Sequence, residues 1–149
     1  AALSVGRCEV GRLVVNEIIE KADVKTDILT GTPNINLEDE ALHYFTSNAS
    51  ANWTFNFRGG SGTTLDSMMN TNDVMTVTIL TTHGGTAYIP SGTNADCRVK
   101  IDGSDTTVNW SGGSAPTAGN DNGIDAYTYS IIKTGGGAFT VIGSQTAYG

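Results

Sequence analysis

The chain has 149 residues, of which 15 are acidic and 8 are basic, so its formal net charge is −7. This length fits one domain that buries roughly two-thirds of its unfolded surface. The acidic balance argues against nucleic acid as a partner, since that needs clustered Lys and Arg, and no apolar run approaches the ~20 residues that insert across a bilayer.

The composition is typical of an all-β protein with many turns. Only 15% of the residues are charged, and the chain contains 19 glycines and three prolines. Threonine, serine and asparagine are plentiful, which suits short strands and the loops between them better than a helical bundle. We therefore expect a single all-β domain.

Residues 1–30 differ from the rest of the chain because they contain no aromatic residue and hold half of the basic ones. Their β-branched, alternating apolar residues favour an extended strand, although the same stretch also fits an amphipathic helix. We predict an N-terminal assembly arm over 1–30 that either pairs with a neighbouring subunit or forms an edge strand of the same domain. The predicted arm residues are Leu13, Val15, Ile18 and Ile19.

The segment 31–60 opens the main domain, which we predict to span 31–149. Pro33 ends the arm, because proline fixes φ and removes a backbone donor. Two strand-like runs follow within 41–60, and in the second run Trp53, Phe55 and Phe57 alternate with polar residues. Alternation of this kind places the three rings on one face of a sheet, where they are expected to form the core.

The remaining elements follow at short intervals. Asp66 lies three residues after Thr63, a spacing that predicts a capped helical turn. The run 74–82 alternates as a strand, and Asp102-Gly103 suits a tight hairpin turn. About eight to ten short strands result. The predicted fold is an all-β, single β-sandwich domain that is jelly-roll-like, with one short helical turn and the extended N-terminal arm.

The residues that carry chemistry do not form a recognised catalytic or metal-binding motif. His43 and His83 are the two histidines, and no G-x-S-x-G nucleophile motif accompanies them. The acidic loop near Asp121 lacks the ligand positions of a calcium loop. We predict no catalytic residue, cofactor or metal. Cys8 and Cys97 form either a disulfide or, as we favour, two separate buried thiols.

Polar loops are the candidate contact sites for a partner. They lie at 47–52, 84–86 and 111–123, beside turns rich in Asn, Asp and Gly. The candidate contact residues in and beside them are Asn48, Asn52, His83, Asn120, Asp121 and Asn122.

Several stretches resemble a β-rich module found in structural proteins of marine bacteriophages, especially those that infect cyanobacteria. The resemblance begins with NINLEDEALHYFTSNASANWTFNFRG at 34–59 and continues through 61–88. It resumes in VNW at 108–110, GGSAP at 112–116 and IDAYTY at 124–129, and the segments IIKT at 131–134 and FTV at 139–141 also fit. The region 97–101 departs from the pattern.

The resemblance implies a bacteriophage virion structural protein. A compact chain of this kind is expected to be a capsid decoration or a small fibre subunit that forms a homo-oligomer, by default a trimer. Its implied partners are further copies of itself and other virion proteins of the capsid or tail. The polar loops would then face solvent or the host, and the contact residues named for them are the candidate host-facing residues. The alternative is a receptor- or glycan-binding adhesin module of a tail fibre. A hydrolase fits less well, since the paired carboxylates typical of glycosidases do not emerge from the sequence.

Overall fold

The computed structural model describes residues 11–12, 14–93 and 95–149. Within these residues the chain forms ten strands, one short α-helix (α1, Leu65–Met68) and a 3-10 turn at Ser111–Gly113. The strands are β1 Ala22–Lys25, β2 Asn34–Asn36, β3 Leu42–Asn48, β4 Asn56–Arg58, β5 Val74–Thr82, β6 Val99–Ile101, β7 Ser104–Thr106, β8 Val108–Trp110, β9 Ile124–Gly135 and β10 Ala138–Tyr148.

The strands form two sheets. The six-stranded sheet has the order β1-β3-β5-β9-β10-β8, and the four-stranded sheet has the order β2-β4-β6-β7. Aromatic side chains from both sheets meet between them, as in the contact of Phe57 on β4 with Tyr129 on β9, whose ring centroids are 5.2 Å apart. The predicted all-β sandwich is therefore confirmed.

The first six strands wind between the two sheets. The chain places β1, β3 and β5 in the six-stranded sheet and β2, β4 and β6 in the four-stranded sheet, so it changes sheet at every step. Each return lays a strand parallel to the one before it, because a connection through the opposite sheet brings the chain back in the same direction. The segments that connect these strands also pair with one another. Gly31 forms an isolated parallel β-bridge with Trp53, and the Gly92 amide donates to the Trp53 carbonyl at 2.7 Å.

The jelly-roll-like topology is not confirmed. A jelly roll is assembled from antiparallel Greek keys. Here the antiparallel pairs are β5/β9, β9/β10 and β6/β7, whereas the others are parallel. The periodicity of a strand reports which side chains are buried, and it carries no information about the direction of the neighbouring strand.

The core is aromatic and lies between the sheets. Trp53, Phe55 and Phe57 are fully buried, as their alternation predicts, and they contact Tyr127 and Tyr129 with ring centroids 5.2–6.4 Å apart. Most of these rings meet edge to face, the arrangement that aromatic quadrupoles favour. The segment 53–57 thus supplies three rings of the core, and β9 supplies the two tyrosines that they contact.

The predicted arm is divided in the structure. Residues 14–20 form neither the expected strand nor the alternative helix, whereas Ala22–Lys25 forms β1, the edge strand of the six-stranded sheet, parallel to β3. Leu29 is buried in the core with 1% of its surface exposed. The edge-strand alternative therefore applies to β1, and the extended N-terminal arm is not confirmed; we keep the name arm for the exposed segment 14–20.

Turn chemistry fixes the helix and one hairpin. The predicted Asp102-Gly103 hairpin is confirmed, with both residues at positive φ (51° and 85°) between β6 and β7. The helix is capped by Thr64 rather than Thr63, since the Thr64 hydroxyl accepts from the Ser67 amide at 3.1 Å. The Asp102 carboxylate accepts from the Leu65 and Asp66 amides, which satisfies two more free donors of the first turn.

Candidate functional site

The polar loops of the prediction meet at one end of the sandwich. The Asn122 amide donates to the Gly84 carbonyl at 2.8 Å, and the His83 amide donates to the Gly123 carbonyl at 3.0 Å. The Asn48 side chain lies against Gly84. We call this region the loop end, made of residues 48–52, 83–89 and 118–123.

The side chains of the loop end hold its backbone in place. Asn52 Oδ1 accepts from the Ile89 amide at 3.0 Å, and Asp121 Oδ1 accepts from the Ala87 amide at 2.8 Å. Asn120 Nδ2 donates to the Tyr148 carbonyl at 2.8 Å. Asn48, Asn52, Asp121 and Asn122 are exposed, so four of the candidate residues reach solvent, and two of them, Asn52 and Asp121, also hold the loop backbone.

His83 belongs to the interior beneath the loop end rather than to its surface. It is 3% exposed and stacks on Trp53, with ring centroids 6.0 Å apart. Its Nε2 lies 3.2 Å from Asp125 Oδ2 and 3.0 Å from the Thr81 hydroxyl. Asp125 Oδ2 also accepts from the Asn120 amide at 3.0 Å, so this buried network connects β5 and β9 to the loop above them.

The His83 network differs in geometry from a catalytic triad. In a triad the carboxylate holds one imidazole nitrogen and the nucleophile contacts the other. Here Thr81 and Asp125 both contact Nε2, while Nδ1 faces the Tyr88 amide at 3.5 Å. Burial lowers the pKa of His83 below 6.5, against the raising influence of Asp125 and Asp121, so the ring is neutral at neutral pH.

A shallow groove of about 240 Å³ lies beside the loop end. It is lined by Ala118, Gly119, Asn120, Asp125, Gln145 and Ala147. Gln145 Nε2 donates to the Ala118 carbonyl at 3.0 Å and to the Tyr127 hydroxyl at 3.3 Å. Amide groups and small residues therefore line the groove.

The outer side of the six-stranded sheet is a second candidate surface. Pairing places its side chains in cross-strand rows, such as Val24, Tyr44, Leu80, Ala126 and Thr146. We call this surface the uncharged face; its strand residues are Ala22, Val24, Leu42, Tyr44, Val74, Thr76, Thr78, Leu80, Thr82, Asn109, Ile124, Ala126, Thr128, Ser130, Ile132, Thr140, Ile142, Ser144, Thr146 and Tyr148.

All the charged residues on the strands of this sheet belong to the opposite register. They are Asp23, Lys25, Asp125 and Lys133. Lys133 is 7% exposed and its Nζ contacts Asp66 Oδ1 at 2.8 Å and the Met69 carbonyl at 2.9 Å. The uncharged face consequently consists of aliphatic, hydroxyl, amide and tyrosine side chains.

The predicted arm residues lie largely in water. Ile18 and Ile19 are 63% and 88% exposed, and Val15 is 48% exposed. Leu13 lies outside the described residues. The arm therefore presents a run of apolar side chains that the rest of the described chain does not cover.

The remaining candidate residues are buried in the core. Cys97 is a free thiol with no exposed surface, and burial raises its pKa to about 11. Cys8 lies outside the described residues. His43 is 1% exposed and its Nδ1 lies 3.1 Å from Asp23 Oδ2, which links β3 to the edge strand β1.

No group of three or more His, Cys, Asp or Glu residues is placed to hold a metal ion within 11–12, 14–93 and 95–149. In the same ranges no helix is long and apolar enough to cross a membrane. No protein-family model, no curated protein and no solved structure matches the chain.

Sequence reasoning missed the His83–Asp125 network and the uncharged face. The network joins residues 42 positions apart, and local spacing carries no signal for such a contact. The face did leave a signal. At the outward positions of β5, β9 and β10 Thr and Ser occur and no charged residue does, and only the pairing shows that these positions share one side.

Proposed function

We propose that the chain is a structural subunit of a bacteriophage virion, either a capsid decoration or a small fibre protein. It works by assembling with further copies of itself and by attaching to other virion proteins of the capsid or tail. The resemblance of 34–59 and of the later segments to phage structural modules supports this proposal.

The observation that carries the proposal is the exposed apolar arm. Val14, Ile18 and Ile19 are between 63% and 88% exposed, and the chain then enters β1, the edge strand of the six-stranded sheet. A strand edge offers unpaired backbone groups to another chain, and apolar side chains beside it gain free energy when a partner covers them. The arm is therefore suited to contact with a neighbouring subunit.

A cyclic trimer is the assembly that we favour. If each arm lies on the next subunit in a head-to-tail manner, the contact closes into a ring when the rotation between subunits permits it. The expected mass is then three times the 15.5 kDa of one chain, or a multiple of that value.

The arm is tested by the double substitution Ile18→Asp/Ile19→Asp. We expect it to lower the mass measured by light scattering while the far-UV circular dichroism stays that of the parent chain. The matched control, Ser104→Asp/Thr107→Asp, adds the same charge at two exposed positions, one on β7 and one directly after it, and should keep the parent mass. Deleting residues 1–20 repeats the test without removing β1 or Leu29. A parent mass in both arm variants would contradict the assembly role.

The particle assignment is tested on purified phage. Antibodies raised against the chain should label intact particles at the capsid, the tail or a fibre tip, and the chain should appear among the virion proteins in mass spectrometry. Consistent absence from purified particles, together with its presence elsewhere in infected cells, would overturn the assignment.

A second candidate function is glycan or receptor binding at the loop end. The convergence of Asn48, Asn52 and Asp121 with the groove at Gln145 favours it, because amide and carboxylate groups suit sugar hydroxyls. Tyr148, which is 57% exposed, lies beside Asn120 and offers an aromatic face.

A glycan array and a host-cell adsorption assay separate this function from assembly. Binding that is lost in Gln145→Ala, but kept in Thr107→Ala at the exposed link between β7 and β8, would support an adhesin. Absence of binding from both assays would leave assembly as the role of the chain.

A further inference from the structure

The uncharged face is unusual for a chain of net charge −7, because it holds none of the chain's charged side chains among its 20 strand positions. Several of its apolar side chains are nonetheless open to solvent: Val24 at 62%, Val74 at 63%, Ile142 at 49% and Tyr148 at 57%. These four residues lie on three different strands, β1, β5 and β10, so the exposed apolar surface extends across the sheet. A surface of this kind on an acidic protein is typical of one that is covered in the working assembly.

The hydroxyl groups at the centre of the face are already paired with each other. The Thr78 and Thr128 hydroxyls lie 3.1 Å apart across β5 and β9, and the Thr76 and Ser130 hydroxyls lie 3.3 Å apart. Burying a hydroxyl is costly mainly when it loses its hydrogen bond. Because each of these pairs keeps its bond when water leaves, the face loses little on being covered.

The face is also large enough for a specific contact. Nine residues of β5 and six strands make a surface of roughly 27 by 24 Å at its widest, from spacings of about 3.3 Å along and 4.8 Å between strands. That is on the order of 600 Å² in projection, close to the ~800 Å² per partner of a standard interface. Sheets also pack on one another face to face through such alternating surfaces.

Charge decides which occupant fits. A basic partner would be attracted more strongly to the acidic surface elsewhere, for example at Glu38, Asp39 and Glu40, than to a face without charge. A second copy of this chain is repelled through most of its surface, since both copies carry a net charge of −7. At the uncharged face, two copies can pack together without bringing like charges into contact.

We propose that the uncharged face is a two-fold interface at which two copies of the chain pack their six-stranded sheets against each other. Such a contact is isologous, so the same residues lie on both sides of the two-fold axis. This two-fold interface deepens the proposed function, and it rests on that function in one respect, namely that the chain acts by self-assembly. Combined with an arm-mediated trimer, it produces a hexamer with one three-fold and three two-fold axes.

Charge substitutions at Thr128, in a central row of the face, test the proposal. Thr128→Lys places two like charges across the axis, so we expect it to halve the mass of the assembly measured by sedimentation velocity. Thr128→Glu should do the same. Mixing the two variants should restore the parent mass, because lysine on one copy then faces glutamate on the other. The matched control is Asn34→Lys on the outer side of the four-stranded sheet, and it should leave the mass unchanged.

The outcomes distinguish the face from the arm. Loss of the face contact leaves arm-linked trimers, whereas Ile18→Asp/Ile19→Asp leaves face-linked dimers. A parent mass in Thr128→Lys, or a mixture that fails to reassociate, overturns the face contact even if the arm variant dissociates. A monomeric parent chain contradicts both proposals. Should Thr128→Lys lose its folded circular dichroism, Ser144→Lys and Ser144→Glu in the same cross-strand row repeat the experiment on β10.

Discussion

The outer sides of the two sheets share one core but differ in chemistry. On the four-stranded sheet, Asn56 Nδ2 donates to Asn34 Oδ1 at 2.7 Å, and Arg58 Nε donates to Asn36 Oδ1 at 2.7 Å. Lys100 and Asp105 form an ion pair on the same side. The 20 strand positions of the uncharged face on the six-stranded sheet carry no charge, and the face pairs hydroxyls instead.

The two outer sides differ in what it would cost to cover them. The amide and ionic pairs of the four-stranded sheet are stable in water and costly to desolvate. The six-stranded sheet directs its charges inward, where Lys133 and Asp125 join strands to neighbouring loops. Its outer side is thereby left with groups that lose little when a partner covers them.

The largest expected effect comes from breaking the core that both sheets share. Phe57 is fully buried between Phe55 and Tyr129. We expect Phe57→Ala to lower the free energy of unfolding by about 3–5 kcal/mol, because a large cavity opens between the sheets. Urea denaturation measures it. The less severe Phe57→Leu should cost clearly less, and equal losses in the two variants would argue against close packing at this position.

A smaller effect is expected from removing an inward charge. Lys133 donates to the Met69 and Asp66 carbonyls and pairs with the Asp66 carboxylate, which also accepts from the Gly137 amide. We expect Lys133→Met to destabilise the fold by about 2–3 kcal/mol, since these buried carbonyls lose their donor. Thermal unfolding measures it against Lys100→Met, a change at the solvated ion pair expected to cost under about 1 kcal/mol. Equal losses of stability in Lys133→Met and Lys100→Met would contradict the distinction between a buried charge on one sheet and a solvated ion pair on the other.

The buried His83 predicts a pH dependence of stability. Burial lowers its folded pKa below 6.5, so the unfolded state binds the proton more readily. The stabilisation is full above about pH 6.5 and is lost as the pH falls through that value towards the folded pKa. We therefore expect His83→Gln to flatten the decline in melting temperature between about pH 7 and pH 5. An unchanged slope in the variant would show that another group controls stability in this range.

The carboxyl groups act in a different pH range. The pKa of Asp66 is lowered, chiefly by its hydrogen bond to Lys133, and that of Asp105 is lowered by Lys100. Their contribution to the stability of the fold is present when the pH is above the ordinary aspartate pKa of 3.8, and it is lost as the pH falls below that value. The two ranges are therefore separable in one titration.

The smallest effect is expected from changing the hydroxyl pair itself. Thr78→Val/Thr128→Val replaces two paired hydroxyls with methyl groups on the uncharged face. We expect the dissociation constant of the face contact to fall by about two- to tenfold, because more apolar surface is buried on association. Thr107→Val, beside the four-stranded sheet, is the control. Weaker association in the double variant would mean that the hydroxyls are needed across the interface.

The sequence predicts the local features of this fold well. Alternation identifies the buried rings of Trp53, Phe55 and Phe57, and Asp102-Gly103 identifies the hairpin, because each feature depends on neighbours within a few residues. The winding between sheets is not predictable in this way, since a parallel partner such as β3 for β5 is chosen over more than 30 residues. The meeting of the loops at Asn52, Asp121 and Gly84 is equally non-local.

The candidate sites show the same difference between local features, which the sequence predicts, and contacts between distant segments, which it does not. The sequence identifies the arm residues Ile18 and Ile19 as candidates for a contact, because this apolar pair is flanked on both sides by glutamate. His83 was expected at a surface turn, and it is buried because Asp125 and Trp53 approach it from distant strands. Inward charges such as Lys133 look like ordinary surface lysines until the helix packs beside them.

The most direct test of the central claim is the solvent exposure of the uncharged face in the assembled protein. Methyl NMR with a soluble paramagnetic agent reports it for Val74 and Ile142, which are 63% and 49% exposed in one chain. We predict that both methyl signals are protected in the parent protein, as are those of the buried Ile79, and become broadened in Thr128→Lys. Equal broadening of Val74 and Ile142 in the parent and the variant would contradict a covered face.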